Sequence, residues 1–175
     1  MAWQVIQLCQ LLQLSCISVI PAGPAAQAAA DRLRSVYGAT HVFEDGEALP
    51  DKVADCGLPQ PRLALDAVGG RAGGRLARTL RAECPLVVHG LGAATPPVLD
   101  DAVAMHGQVS VHGFLINEWV SAQGKKAYLK MLGALAKLVK ANKLTVEGAC
   151  KSAVTAHSLC ACPCMPLCGD RPAIG

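Results

Sequence analysis

The chain has 175 residues, 52% of them hydrophobic but only 3% aromatic, and a formal net charge of +3. That length suits one domain, and its core must be built from Leu, Val and Ala, as in α/β sheets where small side chains let helices lie close to strands. The mild charge, without a dense Lys/Arg stripe interleaved with aromatics, gives no case for a nucleic-acid partner.

Val5 to Leu14 reads as a helix packed on a sheet, apolar over most of its circumference, with Gln4, Gln7, Gln10 and Gln13 at intervals of three. Those glutamines, and the lack of Lys or Arg before the apolar run, argue against a secretory signal even though Pro24-Ala25-Ala26 resembles a cleavage region. The apolar run is also too short and too interrupted to span a bilayer, so the reading is a soluble protein with no membrane partner and no targeting segment.

Cys16 to Ile20 predicts a strand, stopped by Pro21-Ala22-Gly23-Pro24. Ala25 to Tyr37 predicts a helix with Asp31, Arg32 and Arg34 outward and Gly38 closing it. His41 to Glu44 is a second strand, and one helical turn fits Asp51 to Ala54 within a Pro- and Gly-punctuated stretch. Arg62 to Val68 predicts a strand ending at Gly69-Gly70, followed by a helix from about Gly73 to Ala82. Pro85 to His89 is the next strand, ending at Gly90-Leu91-Gly92, and Val109 to Phe114 the last. Lys125 to Asn142 predicts a long amphipathic helix with Leu129, Leu132, Leu135, Leu138 and Val139 inward and its lysines forming a solvated face.

Strands and helices in this rhythm imply right-handed crossovers and a parallel sheet, with ligands at the carboxyl ends of the strands. Glycines at several of those ends let a backbone approach a ligand without an intervening Cβ. Asp66 lies within a buried strand and is a structural residue before a catalytic one, since a buried carboxylate needs partners. Ser110 and His112 share a strand face but have no evident carboxylate partner, and no nucleophile–base constellation stands out.

Arg62 to Gly70 resembles the fourth strand and turn of medium-chain dehydrogenase/reductase folds, and Val87 to Gly92 is similar to the next strand and its cofactor-facing loop. His112-Gly113-Phe114-Leu115-Ile116-Asn117-Glu118-Trp119, a strand ending in Gly-Phe with Trp shortly after, resembles the mitochondrial trans-2-enoyl-CoA (enoyl-ACP) reductases, as do Leu135 to Thr145 and Asp31 to Val42. The likeness runs over about residues 4 to 147. It implies a Rossmann-like, doubly wound parallel sheet and NADPH-dependent reduction of trans-2-enoyl thioesters in mitochondrial fatty acid synthesis. It also implies that His89, Gly90, Leu91, Gly92, Phe114, Leu115 and Ile116 line the nicotinamide half of NADPH. Val68, Gly69 and Gly70 are then expected beside its ribose and pyrophosphate.

Departures from that pattern shape further expectations. The family's first strand and glycine-rich loop have no counterpart before Met1-Ala2-Trp3-Gln4, so an incomplete sheet is expected, its strands either splayed or forced together. Pro21-Ala22-Gly23 offers no cation for a 2′-phosphate, and no catalytic proton donor is assigned, Tyr37 and Tyr128 lying on helices. The chain alone is therefore expected to bind NADPH weakly or not at all and to be incompetent by itself. A quinone oxidoreductase-like or zinc-independent alcohol dehydrogenase-like reductase, or a non-catalytic interaction module, remain open as readings. The last strand is a candidate homodimer edge, and the family location is mitochondrial, otherwise cytoplasmic.

The domain division expected is 1–148 and a non-homologous, disordered Cys/Pro-rich tail, 149–175. Cys160, Cys162, Cys164 and Cys168 in that tail could gather thiolates around zinc or copper(I), though the spacing and prolines disfavour it. The scattered Cys9, Cys16, Cys56, Cys84 and Cys150 read as buried reduced thiols.

Overall fold

A computed structural model of the chain describes residues 2–101, 103, 105 and 109–146. It divides into a unit Met1–Thr145 and a second unit, Val146–Gly175. Cys150 and the Cys160, Cys162, Cys164 and Cys168 cluster lie outside the described residues.

In the first unit the order is α1 (Ala2–Leu11), β1 (Ile17–Ile20), α2 (Ala26–Tyr37), β2 (His41–Glu44), α3 (Leu49–Ala54), β3 (Ala64–Asp66), α4 (Gly70–Arg78), β4 (Pro85–Val88), β5 (Ser110–Gly113), α5 (Ile116–Gln123) and α6 (Lys125–Lys140). The α/β rhythm read from the sequence holds, and every strand pair among the described residues is parallel. These pairs form two sheets rather than one: β1 with β2, and β3-β4-β5.

Each sheet has its own core. Ile6 of α1 and Ala26, Ala30, Leu33 and Tyr37 of α2 pack with Ile20 and Val42. Ala77 and Leu80 close over Ala64 and Leu86, and Leu86 is fully buried. Alanines at these contacts explain how a chain so poor in aromatics packs helices onto strands. The one described aromatic pair, Trp3 on Tyr37, is stacked at 6.1 Å and covers the first core.

Arg75 joins the two halves. From α4 its Nε and Nη2 donate to the Asp45 carboxylate at 2.9 and 2.6 Å, just past the end of β2, and Nη1 donates to Glu47 at 3.0 Å. Gln7 and Gln10 of α1 are also fasteners rather than part of a wetted stripe. Gln7 is buried, donating to the Thr145 carbonyl at 3.1 Å and accepting from the Thr145 N–H at 2.7 Å. Gln10 donates to the carbonyls of Tyr37 and Gly38, where the backbone bonds Gly38 to Arg34 and Ala39 to Leu33 end α2 as anticipated.

Several expectations need correction. The strand at 62–68 is only three residues long, because the Asp66 carboxylate turns the chain by accepting from the N–H groups of Val68 and Gly69. Helix α4 starts at Gly70, earlier than predicted, and α5 was not anticipated. The apolar face of α6 is only partly inward: Leu135 and Leu138 are half-buried, but Leu129 is 55% exposed, Leu132 and Val139 39%, and no residue of the helix is buried. The helix leans on α5, which is too short to cover its apolar face. Of the described cysteines only Cys84 is fully buried; Cys9, Cys16 and Cys56 are half-buried, and all four are free thiols.

Candidate functional site

Parallel pairing aligns the carboxyl ends of three strands, with Asp66 beside Val88 and Val88 beside Gly113. The ladder continues a step further. His89 N–H donates to the Asp66 carbonyl and Phe114 N–H to the Val88 carbonyl, both at 2.8 Å. Beyond it the chain folds back, Gly92 N–H reaching Ala67 O at 3.0 Å and Ala93 N–H reaching Val68 O at 2.7 Å. Val68, His89, Gly90, Leu91 and Phe114 thus stand on one rim, and Leu115 and Ile116 follow directly.

The rim is apolar and open. Val68 is 44% exposed, Leu91 53%, Phe114 40% and Leu115 60%, while His89 is half-buried. At Gly90 a Cβ would stand 2.9 Å from the Ala67 carbonyl, so only glycine lets the two backbones lie this close. Such a rim offers flat apolar contact and backbone edges to a planar ring, with His89 as its one titratable side chain.

Gly69 and Gly70 are placed differently. Both are buried. Gly69 N–H donates to the Asp66 carboxylate, and Gly70 N–H donates to the carbonyls of Thr95 and Pro96, each at 3.0 Å. Val98 N–H returns a bond to Gly70 O at 2.9 Å. These glycines form the seat on which the 95–98 segment rests, and their donors are spent within the chain. Asp66, 3% exposed and committed to backbone donors, has the structural part expected of it.

Other candidates fall away from the rim. His112 Nε2 and Ser110 Oγ lie 3.0 Å apart, exposed on β5, with His112 beside Val87. A cavity of about 240 Å³ lined by Ile6, Gln10, Leu14, Cys16 and Thr40 opens at the amino-terminal ends of β1 and β2, away from the carboxyl-end crevice predicted. Burial there, reinforced by the neighbouring Cys9, pushes the Cys16 thiol up to about 11, so it stays protonated near neutral pH. Among the described residues no group of three or more His, Cys, Asp or Glu is placed to hold a metal ion. Sequence reading missed the Arg75–Asp45 and Gln7–Thr145 contacts, which join residues 30 and 138 apart and leave no local signal.

The Rossmann-like arrangement of parallel strands and helices is that of the medium-chain dehydrogenase/reductases, the class resembled in sequence. The chain is similar to the mitochondrial enoyl-[acyl-carrier-protein] reductase of Homo sapiens, 30% identical over 121 residues, covering 68% of this chain and 32% of the relative. The Bos taurus enzyme is 28% identical over 137 residues, covering 77% and 36%. The chain thus spans about a third of the length of the curated relatives it matches. Among solved structures, the mitochondrial 2-enoyl thioester reductase heterodimer of Candida tropicalis superposes with a TM-score of 0.71 at 22% identity, over 81% of this chain and 40% of that one. A putative NADPH:quinone reductase from Bacillus thuringiensis gives 0.70 at 21%, over 81% and 42%. No protein-family profile matches the chain.

Proposed function

We propose that residues 1–148 are the nucleotide-binding part of an NADPH-dependent reductase of trans-2-enoyl thioesters, the enoyl-CoA or enoyl-ACP of mitochondrial fatty acid synthesis. The observation that carries this is the meeting of His89, Gly90 and Phe114 on one carboxyl-end rim, in a chain whose curated relatives are named mitochondrial enoyl reductases. A structural neighbour, Etr1p, was solved in complex with NADP and crotonyl-CoA, which supports the choice of cofactor and substrate class. His89 to Gly92 and Phe114 to Ile116 would hold the nicotinamide half, with Val68 beside the ribose. Gly69 and Gly70 contribute by seating the 95–98 segment, not by offering N–H groups to the pyrophosphate.

The residues present fit the ring end of NADPH better than its charged end. The named rim residues carry no Lys or Arg, and neither does Pro21 to Pro24 beyond β1. Within these 175 residues no proton donor is assigned: Tyr37 is buried against Trp3, and Tyr128 lies on α6. When bound, NADPH supplies the hydride; the chain's own part is to position the ring and exclude water. The free edge of β5 is the surface by which two copies would extend one sheet into the next.

NADPH fluorescence and crotonyl-CoA reduction test the reading on the 175-residue chain. Weak binding without turnover, competed by NADP, is the expected result. No interaction at any concentration, with the chain folded, overturns it in favour of the non-catalytic interaction module.

A further inference from the structure

The long helix α6 departs from its expected role, and the departure changes what its charges mean. Had its leucines faced a core, Lys125, Lys126, Lys130, Lys137 and Lys140 would be an ordinary solvated face. Instead Leu129, Leu132, Ala136 and Val139 are all exposed. They stand three, seven and ten residues along the helix from Leu129 and so form a single stripe about 15 Å long. The half-buried Tyr128, Met131, Leu135 and Leu138 lie on one side of that stripe, Lys126, Lys130, Lys137 and Lys140 lie on the other, and Lys125 heads the stripe one turn before Leu129.

The charge beside the stripe is one-signed. Between Glu118 and Glu147 there are six lysines, counting Lys143, and no Asp or Glu. All six are exposed, and none of the ion pairs among the described residues involves a lysine. The stretch contains no arginine either. Arginine's rigid fork suits fixed carboxylates on a protein partner, whereas lysine's compact ammonium on a long flexible stem suits diffuse phosphates and can lie along apolar surface while its head stays in water.

We propose that this flank of α6 docks onto an anionic phospholipid bilayer, the Leu129–Val139 stripe entering the boundary between headgroups and acyl chains while the lysines meet the phosphates. A basic amphipathic helix lying in the interface plane has this form. No helix of the described residues is long and apolar enough to cross a membrane, so the mode is surface attachment. This replaces the sequence-based expectation of no membrane partner, which rested on the lack of an apolar run long enough to span a bilayer. It is independent of the reductase reading.

The test is co-flotation of the 175-residue chain with phosphatidylcholine vesicles, with and without phosphatidylglycerol. Binding that requires phosphatidylglycerol and falls away in high salt is expected. Each lysine neutralised should lower partitioning roughly fivefold. The combined variant Lys126→Gln, Lys130→Gln and Lys137→Gln should therefore lose on the order of a hundredfold. Leu129→Ser with Leu132→Ser should also detach the chain, while circular dichroism stays unchanged because both side chains are exposed. Failure of the parent chain to float, or flotation unaffected by either variant, overturns the proposal. So does a chain that ignores vesicles but binds polyglutamate, which would mark an acidic protein partner. Self-association abolished by the serine pair, without flotation, would assign the stripe to a second copy and equally overturn it.

Discussion

Arg75 and Asp45, 30 residues apart in the chain, meet through two parallel hydrogen bonds at 2.9 and 2.6 Å, and this fork links the β1–β2 half of the unit to the β3–β4–β5 half. Donating to the Asp45 carboxylate holds the Arg75 guanidinium even more firmly protonated than usual. Both side chains are largely shielded, 17% and 21% exposed. A bidentate, partly buried pair exceeds the small value of exposed ion pairs. Replacing Arg75 by Met should lower unfolding free energy by about 1–3 kcal/mol in urea titration. A double-mutant cycle with Asp45→Asn should show the two costs to be non-additive; simple addition would show that the fork is not a unit.

The Asp66 turn gives a second expectation. A Cβ added at Gly73 would stand 2.5 Å from Asp66 Oδ2 and 3.0 Å from Pro97, so Gly73 is what leaves the carboxylate room. Gly73→Ala should cost about 1–3 kcal/mol through crowding, despite alanine's better helix propensity. Asp66→Ala should cost about 2–4 kcal/mol by orphaning the Val68 and Gly69 donors, and Asp66→Asn, which keeps an acceptor, should cost less. Thermal unfolding of the three variants checks that order.

A third expectation concerns alkaline pH. The Cys16 thiol is raised from 9.0 to about 11 by burial first and by Cys9 second. The folded state thus holds its proton more tightly than the unfolded state. The stabilisation is complete below the unfolded value and disappears as pH climbs through the folded one, between pH 9.0 and about 11. Urea midpoints should fall across that window in the parent chain and fall less in Cys16→Ser. Alkylation of Cys16 near neutral pH should be slow for the same reason.

At the rim, Leu115→Asp places a carboxylate where the side chain is already 60% exposed. Stability should change by less than about 0.5 kcal/mol. NADPH affinity should fall severalfold, because the cofactor is itself an anion and would meet a like charge. Unchanged affinity in a fluorescence titration would place the cofactor elsewhere.

Much of this arrangement was legible in the sequence because parallel strands are short apolar runs bounded by glycine and proline, as at Ile17–Ile20 and Pro85–Val88. Strand direction then put His89 and Phe114 at the same end without any knowledge of contacts. The start of α4 was hidden because Gly70, Gly73 and Gly74 are poor helix formers tolerated for the backbone that packs against them. Periodicity in α6 located an apolar face but carries no information on whether anything covers it. The spacing of the glutamines in α1 likewise revealed a polar side, while their partners at Tyr37, Gly38 and Thr145 depend on the finished fold.

The clasp between Gln7 and Thr145 spans 138 positions, so it cannot form until nearly the entire unit exists. During synthesis α1 is made 138 residues before its partner Thr145, so this latch closes late. Until then Gln7 keeps only its bond to the Trp3 carbonyl, and α1 stays open to chaperones until residue 145 clears the exit tunnel.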